Sequence, residues 1–525
     1  MKNLWLLLII LIALAIRILG IFWGNIDKPT HNLWEPDEFQ HAQIAEQQIH
    51  ILDEKLYADK DFSSIWNTRA YGKQVGISAY IAYQIGWLEL KQNKLILVGR
   101  FLSTFYAVLL ILVVFQLGKL LLRNESVALL AALFIAIFDL NITYSHYAVP
   151  AISYIFWTHL SLLATYIFLK AASKNDVFFR QIFYYILPFP FAMSLATKLD
   201  FIPLLIFLTT LALLAFQKKM SIQKSLLTAL IFIVLVVFYL IAIHGFHVDI
   251  AEAIRSSTVA KDLNSNVIPK DNHWLHNPLL YLAATIGGSS LFVVVLASIS
   301  TTKLLSKSWR VRSLNEQTIC LLLFLLFLAL EFLVRWRMDT PFVRRANVFL
   351  PYVALLAAYR LNTLFQNKKL KNAAKVIVAF YTLGLAIVSQ YNFWNDTRYQ
   401  SRAFLKEQLQ GAEKINYSMY AFERQMPKQG AKLKKEADIL VLHEAAYGRY
   451  WKMFTTPFKM PKCCEEVYHC DKQNCKETQE ILLRKTDFEL LKSFETLELF
   501  PERILFKHYF GTYETFLGEV RIYRR

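Results

Sequence analysis

The chain has 525 residues, 55% of them hydrophobic and 15% aromatic, with 58 basic against 40 acidic side chains and a formal charge of +18. A mean hydropathy of +0.34 argues against a soluble domain, because apolar runs of about 20 residues, enough to cross a bilayer as a helix, recur through the first three quarters. The positive charge does not imply nucleic acid: the cations fall mostly in short clusters between apolar runs, the positive-inside pattern, and no nucleic-acid motif accompanies them.

Residues 4–22 form the first span. It is too long for a removable leader and lacks a small-residue cleavage site, so it reads as a retained anchor. A polar loop, 23–76, follows and opens with Trp34-Glu35-Pro36-Asp37-Glu38-Phe39-Gln40-His41. Proline suits the first position of a helix, where its missing N–H is no loss. Asp37 and Glu38 then occupy the first turn, where the helix dipole favours ionised carboxylates by about 0.3–1 kcal/mol. An acid at the mouth of a membrane protein is a solubilising residue or a base, and acidic first turns are common. Farther on, Phe39, Ala42, Ala45, Ile49 and Leu52 share one face, which predicts an amphipathic helix lying on the membrane.

The segment 77–90 is short and reads as re-entrant or interfacial. Spans are predicted over 95–122, 127–143 and 151–170, then a tight pair over 182–195 and 201–216 with Lys198 at the junction, then 226–243. A second polar loop, 244–278, precedes spans over 279–300 and 314–334. A charged elbow carries Arg335, Arg337, Arg344 and Arg345, and the last spans cover 347–361 and 373–393. The basic loops all fall on one side if there are about eleven spans, which makes that side the cytoplasm. The loop 23–76, the loop 244–278, Lys198, the arginine elbow and everything after 393 then face outward.

From 394 to 525 hydropathy drops. The runs 437–442 and 518–523 read as strands and 476–485 as an amphipathic helix, which predicts a small α/β extracytoplasmic domain. Cys320 sits in an apolar run and reads as packing. Cys463, Cys464, Cys470 and Cys475 crowd into one segment; in an oxidising space they are expected to form two disulfides of unknown connectivity. A zinc knot is the alternative, though the paired C-x-x-C spacing is missing.

One outer face thus collects Asp37, Glu38, His41, Lys198 and the arginines. Outward cations depart from the positive-inside pattern and invite an anion, and guanidinium forks match phosphate oxygens. A snorkelling interfacial cluster is the bland reading of the same arginines. A lipid-linked phosphate would sit at that depth, leaving a carboxylate to take a proton from an acceptor hydroxyl.

Several motifs resemble those of the GT-C superfamily of integral-membrane glycosyltransferases, nearest its protein mannosyltransferase and aminoarabinose transferase branch. The turn Pro36-Asp37-Glu38 resembles that family's outer-loop acidic motif. Ser145-His146-Tyr147-Ala148-Val149-Pro150-Ala151 is similar to its second outer loop, and Ser194-Leu195-Ala196-Thr197-Lys198 to its small-residue junction with a lysine. Arg345-Ala346-Asn347-Val348-Phe349-Leu350-Pro351-Tyr352 resembles its late span, without the second proline. The resemblance covers residues 1–393. Relatives often carry an acid where this chain has Ala151, and Asp139 or His146 are the residues that could stand in.

The resemblance implies inverting transfer of a hexose or pentose from a polyprenyl-phosphate carrier to a lipid, glycan or protein acceptor outside the cytoplasmic membrane. It implies Asp37 as general base with Glu38 second. Lys198 and Arg345, supported by Arg337, Arg344 and His146, would hold the lipid phosphate. Metal use varies across the superfamily, which leaves a divalent cation open; His41, four residues from Asp37 on the same helix face, is the candidate ligand. A polysaccharide polymerase or ligase is the alternative, and a lipid-linked-sugar transporter is disfavoured by the scarcity of intramembrane charges, Glu331 being one of few.

Overall fold

The computed structural model describes residues 2–24, 36–62, 70–173, 185–197, 201–216, 221–244, 273–310, 316–336, 343–408, 414–418, 421, 437–444, 477–478, 480–510 and 517–525. Lys198, Arg337, Cys463, Cys464, Cys470, Cys475, most of the loop 244–278 and the Asp37 side chain lie outside that set, and the expected helix 476–485 lies partly outside it.

Hydrocarbon leaves no water to satisfy backbone groups, so a chain this apolar folds as helices. In order they are α1 (Lys2–Gly20), α2 (Pro36–Leu52), α3 (Ala70–Gln84), α4 (Gln92–Leu121), α5 (Glu125–Ile137), α6 (Asp139–Ser145), α7 (Ala151–Ser173), α8 (Pro188–Thr197), α9 (Phe201–Phe216) and α10 (Ile222–His244). After them come α11 (His273–Ser289), α12 (Leu291–Arg310), α13 (Glu316–Trp336), a 3-10 helix (Val343–Phe349), α14 (Leu350–Leu364), α15 (Lys368–Trp394) and α16 (Thr397–Gln408). Local signals start several of them. Asn124 caps α5 by accepting from the Val127 N–H at 3.2 Å, and Asn367 caps α15 through the Lys369 and Leu370 N–H groups, as short polar side chains do at helix starts.

Among the described residues four helices are long and apolar enough to cross a membrane: Gln92–Leu121, Ala151–Lys170, Gln317–Trp336 and the run Lys368–Gln408. Two bent pairs, α5 with α6 and α11 with α12, raise the number to six if each is one span. This is an integral membrane protein, and the count of about eleven spans is not established by these helices.

Three expectations are corrected. The span expected over 279–300 is no straight crossing: α11 and α12 meet at 116°. Ser290, at φ +117°, makes the turn just after Gly287 and Gly288, residues that weaken a helix interior. Its hydroxyl lies 3.2 Å from that of Thr382, which pins the break midway along α15. The span expected over 127–143 bends by 55° between α5 and α6, where Asp139 starts the second piece.

The third correction concerns α2, whose apolar face does not lie on the membrane. Ala42, Ala45 and Ile49 are buried against Tyr71, Val75 and Ala79 of α3. Gly72 and Gly76 permit the approach, since a Cβ at either would stand 2.8 or 2.7 Å from the carbonyl oxygens of His41 and Ala45. Small residues four apart serve close helix packing in this way.

Helix ends sort into two layers. At one end the Tyr154 hydroxyl donates to Glu331 at 2.7 Å and the Asn277 amide to the Trp336 carbonyl at 3.0 Å. At the other, Gln317 donates to the Leu121 carbonyl and Lys375 to Asn362 at 3.0 Å. The first layer joins ends that the charge pattern assigns outward, and the second joins ends it assigns to the cytoplasm.

Beyond α16 a small sheet forms from β1 (Ile415–Tyr417), β2 (Ile439–His443), β3 (Glu489–Phe494) and β4 (Val520–Arg524), with α17 (Pro501–Phe510) between the last two strands. The strand order is β1-β2-β4-β3. β1 runs parallel to β2, and β4 antiparallel to both its neighbours, pairing Val441 with Ile522. Ile439, Val441, Val520 and Ile522 bury one face against Leu405 of α16. Two of these strands are the ones the hydropathy pattern indicates.

Candidate active site

The first turn of α2 is held by one arginine. Glu38, fully buried, takes both arms of the Arg100 guanidinium at 2.7 Å each and also accepts the Ala148 N–H at 2.8 Å. The remaining Arg100 nitrogen donates to the carbonyls of Ile21, at 2.6 Å, and Trp23. A guanidinium has five donors in a fixed fork, and here they tie the exit of α1, the start of α2, the body of α4 and the loop after α6 into one clasp. Such burial is tolerable only because the partners are close and the other donors are met. Asp37 is therefore carried on a turn whose next residue cannot move far.

The segment 139–150 is the hub. Its Ala148 end meets Glu38. Its Leu140 end accepts from Asn347 of the 3-10 helix at 3.4 Å, and that helix carries Arg344 and Arg345, both half-buried. The acidic turn and the arginine turn, some 300 residues apart in the chain, thus stand on one short scaffold. Arg335 does not join them as a free cation: it is buried in an ion pair with Glu331, one helical turn away. Glu331, the intramembrane charge, is neutralised there and also accepts from Tyr154.

His146 is fully buried, edge-on to Phe393 and packed so tightly beneath α1 that a Cβ at Gly20 would strike its ring. His41 is buried edge-on to Tyr71. Among the described residues no three His, Cys, Asp or Glu side chains converge as metal ligands do. Asp139 is buried in an ion pair with Arg503 of α17.

The sequence reading passed over four arginines that organise this end. Arg17, within the first apolar run, donates to the carbonyls of Ala13, Ala136 and Ile135 and, at 2.7 Å, to Asn141. Arg100 builds the clasp, Arg503 grips Asp139, and Arg398 pairs with Asp396 at 2.7 Å. Trp23 lies between Arg100 and Arg398, 6.0 and 5.4 Å from its ring, and its indole N–H donates to Asp396 at 3.3 Å. For Arg17 and Arg100 the available signal was an arginine inside an apolar run, where an ionisable group needs a partner; Arg398 and Arg503 lie in polar stretches that give no such signal.

This is the fold of the GT-C membrane glycosyltransferases. The structure is similar to that of an archaeal oligosaccharyltransferase from Archaeoglobus fulgidus, with TM-score 0.54, 13% identity, and coverage of 100% of this chain and 88% of that one. The archaeal oligosaccharyltransferase AglB from Archaeoglobus fulgidus, solved with an inhibitory peptide and a dolichol-phosphate, gives TM-score 0.52 at 13% identity and the same coverage. ArnT from Cupriavidus metallidurans, bound to undecaprenyl phosphate, gives TM-score 0.48 at 12% identity, covering 99% of this chain and 98% of that one. No protein-family model and no curated protein matches the sequence.

Proposed function

We propose that this chain moves a sugar from a polyprenyl-phosphate carrier to an acceptor hydroxyl at the non-cytoplasmic rim of the inner membrane, inverting the anomeric carbon. Asp37 takes the acceptor proton as its oxygen attacks, and the carbon–oxygen bond to phosphate breaks on the opposite face. The departing phosphate leaves with the electron pair, and Arg345 and Arg344, with Lys198 and Arg337, meet its growing charge; preorganised cations stabilise such a transition state well. Glu38 holds the turn and is not the base in this scheme, its oxygens being occupied by Arg100 and Ala148. His146 is read as packing, and no step is routed through His41.

The observation that carries the reading is the clasp of Glu38, Arg100 and Ala148, which fixes the acidic turn on the scaffold that also receives the arginine turn. The likeness to a protein solved with a dolichol-phosphate supports the class of donor, and the positive-inside pattern supports the side. The sugar and acceptor are left as classes: a hexose or pentose, moved to a lipid, glycan or protein.

The test uses full-length protein in vesicles with polyprenyl-phosphate sugars and envelope extract as acceptor. Mass spectrometry should show a sugar-sized increment on an extract component, and NMR an inverted anomeric centre. Transfer with retained configuration, or donor consumed only by water, would overturn the scheme.

A further inference from the structure

The region after residue 394 reads as a soluble domain, yet one part of it leaves the sheet and runs down the side of α15. Leu497 exchanges two hydrogen bonds of 2.9 Å with the Asn392 side chain. Arg503 donates to Ser389 at 2.9 Å. Phe500 lies where a Cβ on Gly384 would come within 2.8 Å of its ring, and it meets Tyr381 edge-on at 5.1 Å. The Tyr381 hydroxyl donates to Glu502 at 2.8 Å. From Asn392 to Tyr381 is about 16 Å along a helix at roughly 1.5 Å per residue. Exposed Tyr391 and Trp394 mark the outer end of α15, as interfacial aromatics do, so the descent goes well below the headgroups.

The face that α17 turns away from the bundle is apolar up to its last turn, where His508 is exposed. Arg503 and Phe506 are buried against the helices, whereas Ile504 is 49% exposed and Leu505 56%; Leu499, just before the helix, is 62% exposed. A water-facing helix carries polar residues on that side. These side chains instead continue a surface already facing lipid: Phe380 and Ile387 of α15 and Phe292 of α12 are exposed apolar residues on helices at the same level, and Phe292 packs on the same Tyr381 as Phe500. Lys507 marks the return toward water, reaching Thr496 and Glu444 of the sheet region at 3.1 and 3.3 Å.

We propose that residues 497–510 form a re-entrant segment, which anchors the C-terminal sheet by immersing Leu499, Ile504 and Leu505 in the acyl chains of the outer leaflet. The inference does not rest on the sugar-transfer reading. Of the segment's two carboxylates, Glu498 stands beside Leu497 at its start and Glu502 is carried farther along, where it accepts from the Tyr381 hydroxyl. Arg503 is spent on Asp139 and Ser389, so the segment brings no bare cation into the hydrocarbon.

The test places a benzophenone amino acid at Leu499, Ile504 or Leu505 of the full-length protein in vesicles of phosphatidylcholine and phosphatidylglycerol. Phe380 of α15 is the lipid-facing control, and exposed Lys406 of α16 the aqueous one. Irradiation should yield acyl-chain adducts at the three positions, at yields like that of Phe380, with none at Lys406. Adducts at Phe380 alone would overturn the proposal, as would crosslinks from 499, 504 and 505 to a second protein copy. The probed side chains face outward, so labelled protein should remain monodisperse. If one variant does not, the other two decide.

Discussion

Two buried ion pairs hold this molecule together in different ways. Glu38 with Arg100 joins elements within the first hundred residues; Asp139 with Arg503 joins the bundle to a helix near the C-terminus. In the first, every acceptor is filled: two guanidinium arms and a backbone N–H reach the carboxylate, and two carbonyls take the other donors. In the second, Thr143 and Ser389 are the side chains that share the load. The chemistry of burial is the same in both, but what each fixes differs. One sets the turn that carries Asp37, and the other sets where the C-terminal segment docks. Stability alone would not distinguish them, whereas activity per folded molecule would.

The largest effect belongs to the residue that the first pair presents. Asp37→Asn should lower transfer by about 10²–10⁴-fold, the usual contribution of a general base, while the thermal midpoint and donor binding stay near those of the wild type; near-normal transfer would detach the clasp from catalysis. Next come Arg100→Ala and Arg503→Ala. Removing one partner of a buried pair costs about 3–5 kcal/mol, so both should melt earlier in a thermal scan. Transfer per folded molecule should collapse only for Arg100→Ala. Equal losses in both would erase the distinction drawn here.

Smaller still is Arg345→Ala. A hydrogen bond to a charged group is worth about 1.5–3 kcal/mol, so donor affinity should weaken by roughly 10–100-fold, read by titration with a polyprenyl phosphate; unchanged affinity would make the arginine turn structural. The smallest effect lies in the sheet. Burial, with the charge of Arg398 nearby, holds the His443 imidazole well below its ordinary value. The unfolded chain therefore binds a proton that the folded one refuses. Stability should fall as pH drops below about 6.5, by up to about 1.4 kcal/mol per unit, and His443→Gln should flatten that slope.

Legibility followed the range of the interactions. The start of α2 was visible because Pro36 acts on its own turn, and β2 and β4 were visible because apolar runs between polar breaks are local patterns. The GT-C fold could be recognised from short motifs in order. The face of α2 was misread because Ala42, Ala45 and Ile49 look the same whether they meet lipid or α3; only Gly72 and Gly76, more than twenty residues on, decide it. The break at Ser290 follows a Gly-Gly pair that an apolar average hides. Arg100 was overlooked because its partners, Glu38, Ile21, Trp23 and the segment after α6, are distant in sequence and none announces the others. The contacts of residues 497–503 with α15 were hidden because they depend on Asn392, Ser389 and Tyr381, each a mild polar residue in an apolar helix.

Arg17 bears on how the protein is made. As α1 leaves the ribosome it carries a guanidinium in its last turn, where an ionisable group facing lipid needs a partner. Apart from the Ala13 carbonyl, its acceptors are Ile135, Ala136 and Asn141, which are synthesised more than a hundred residues later. During that interval the nascent anchor must hold Arg17 toward the headgroups or inside the translocation channel. The full set of partners that holds Arg17 thus exists only once α5 and α6 have been made.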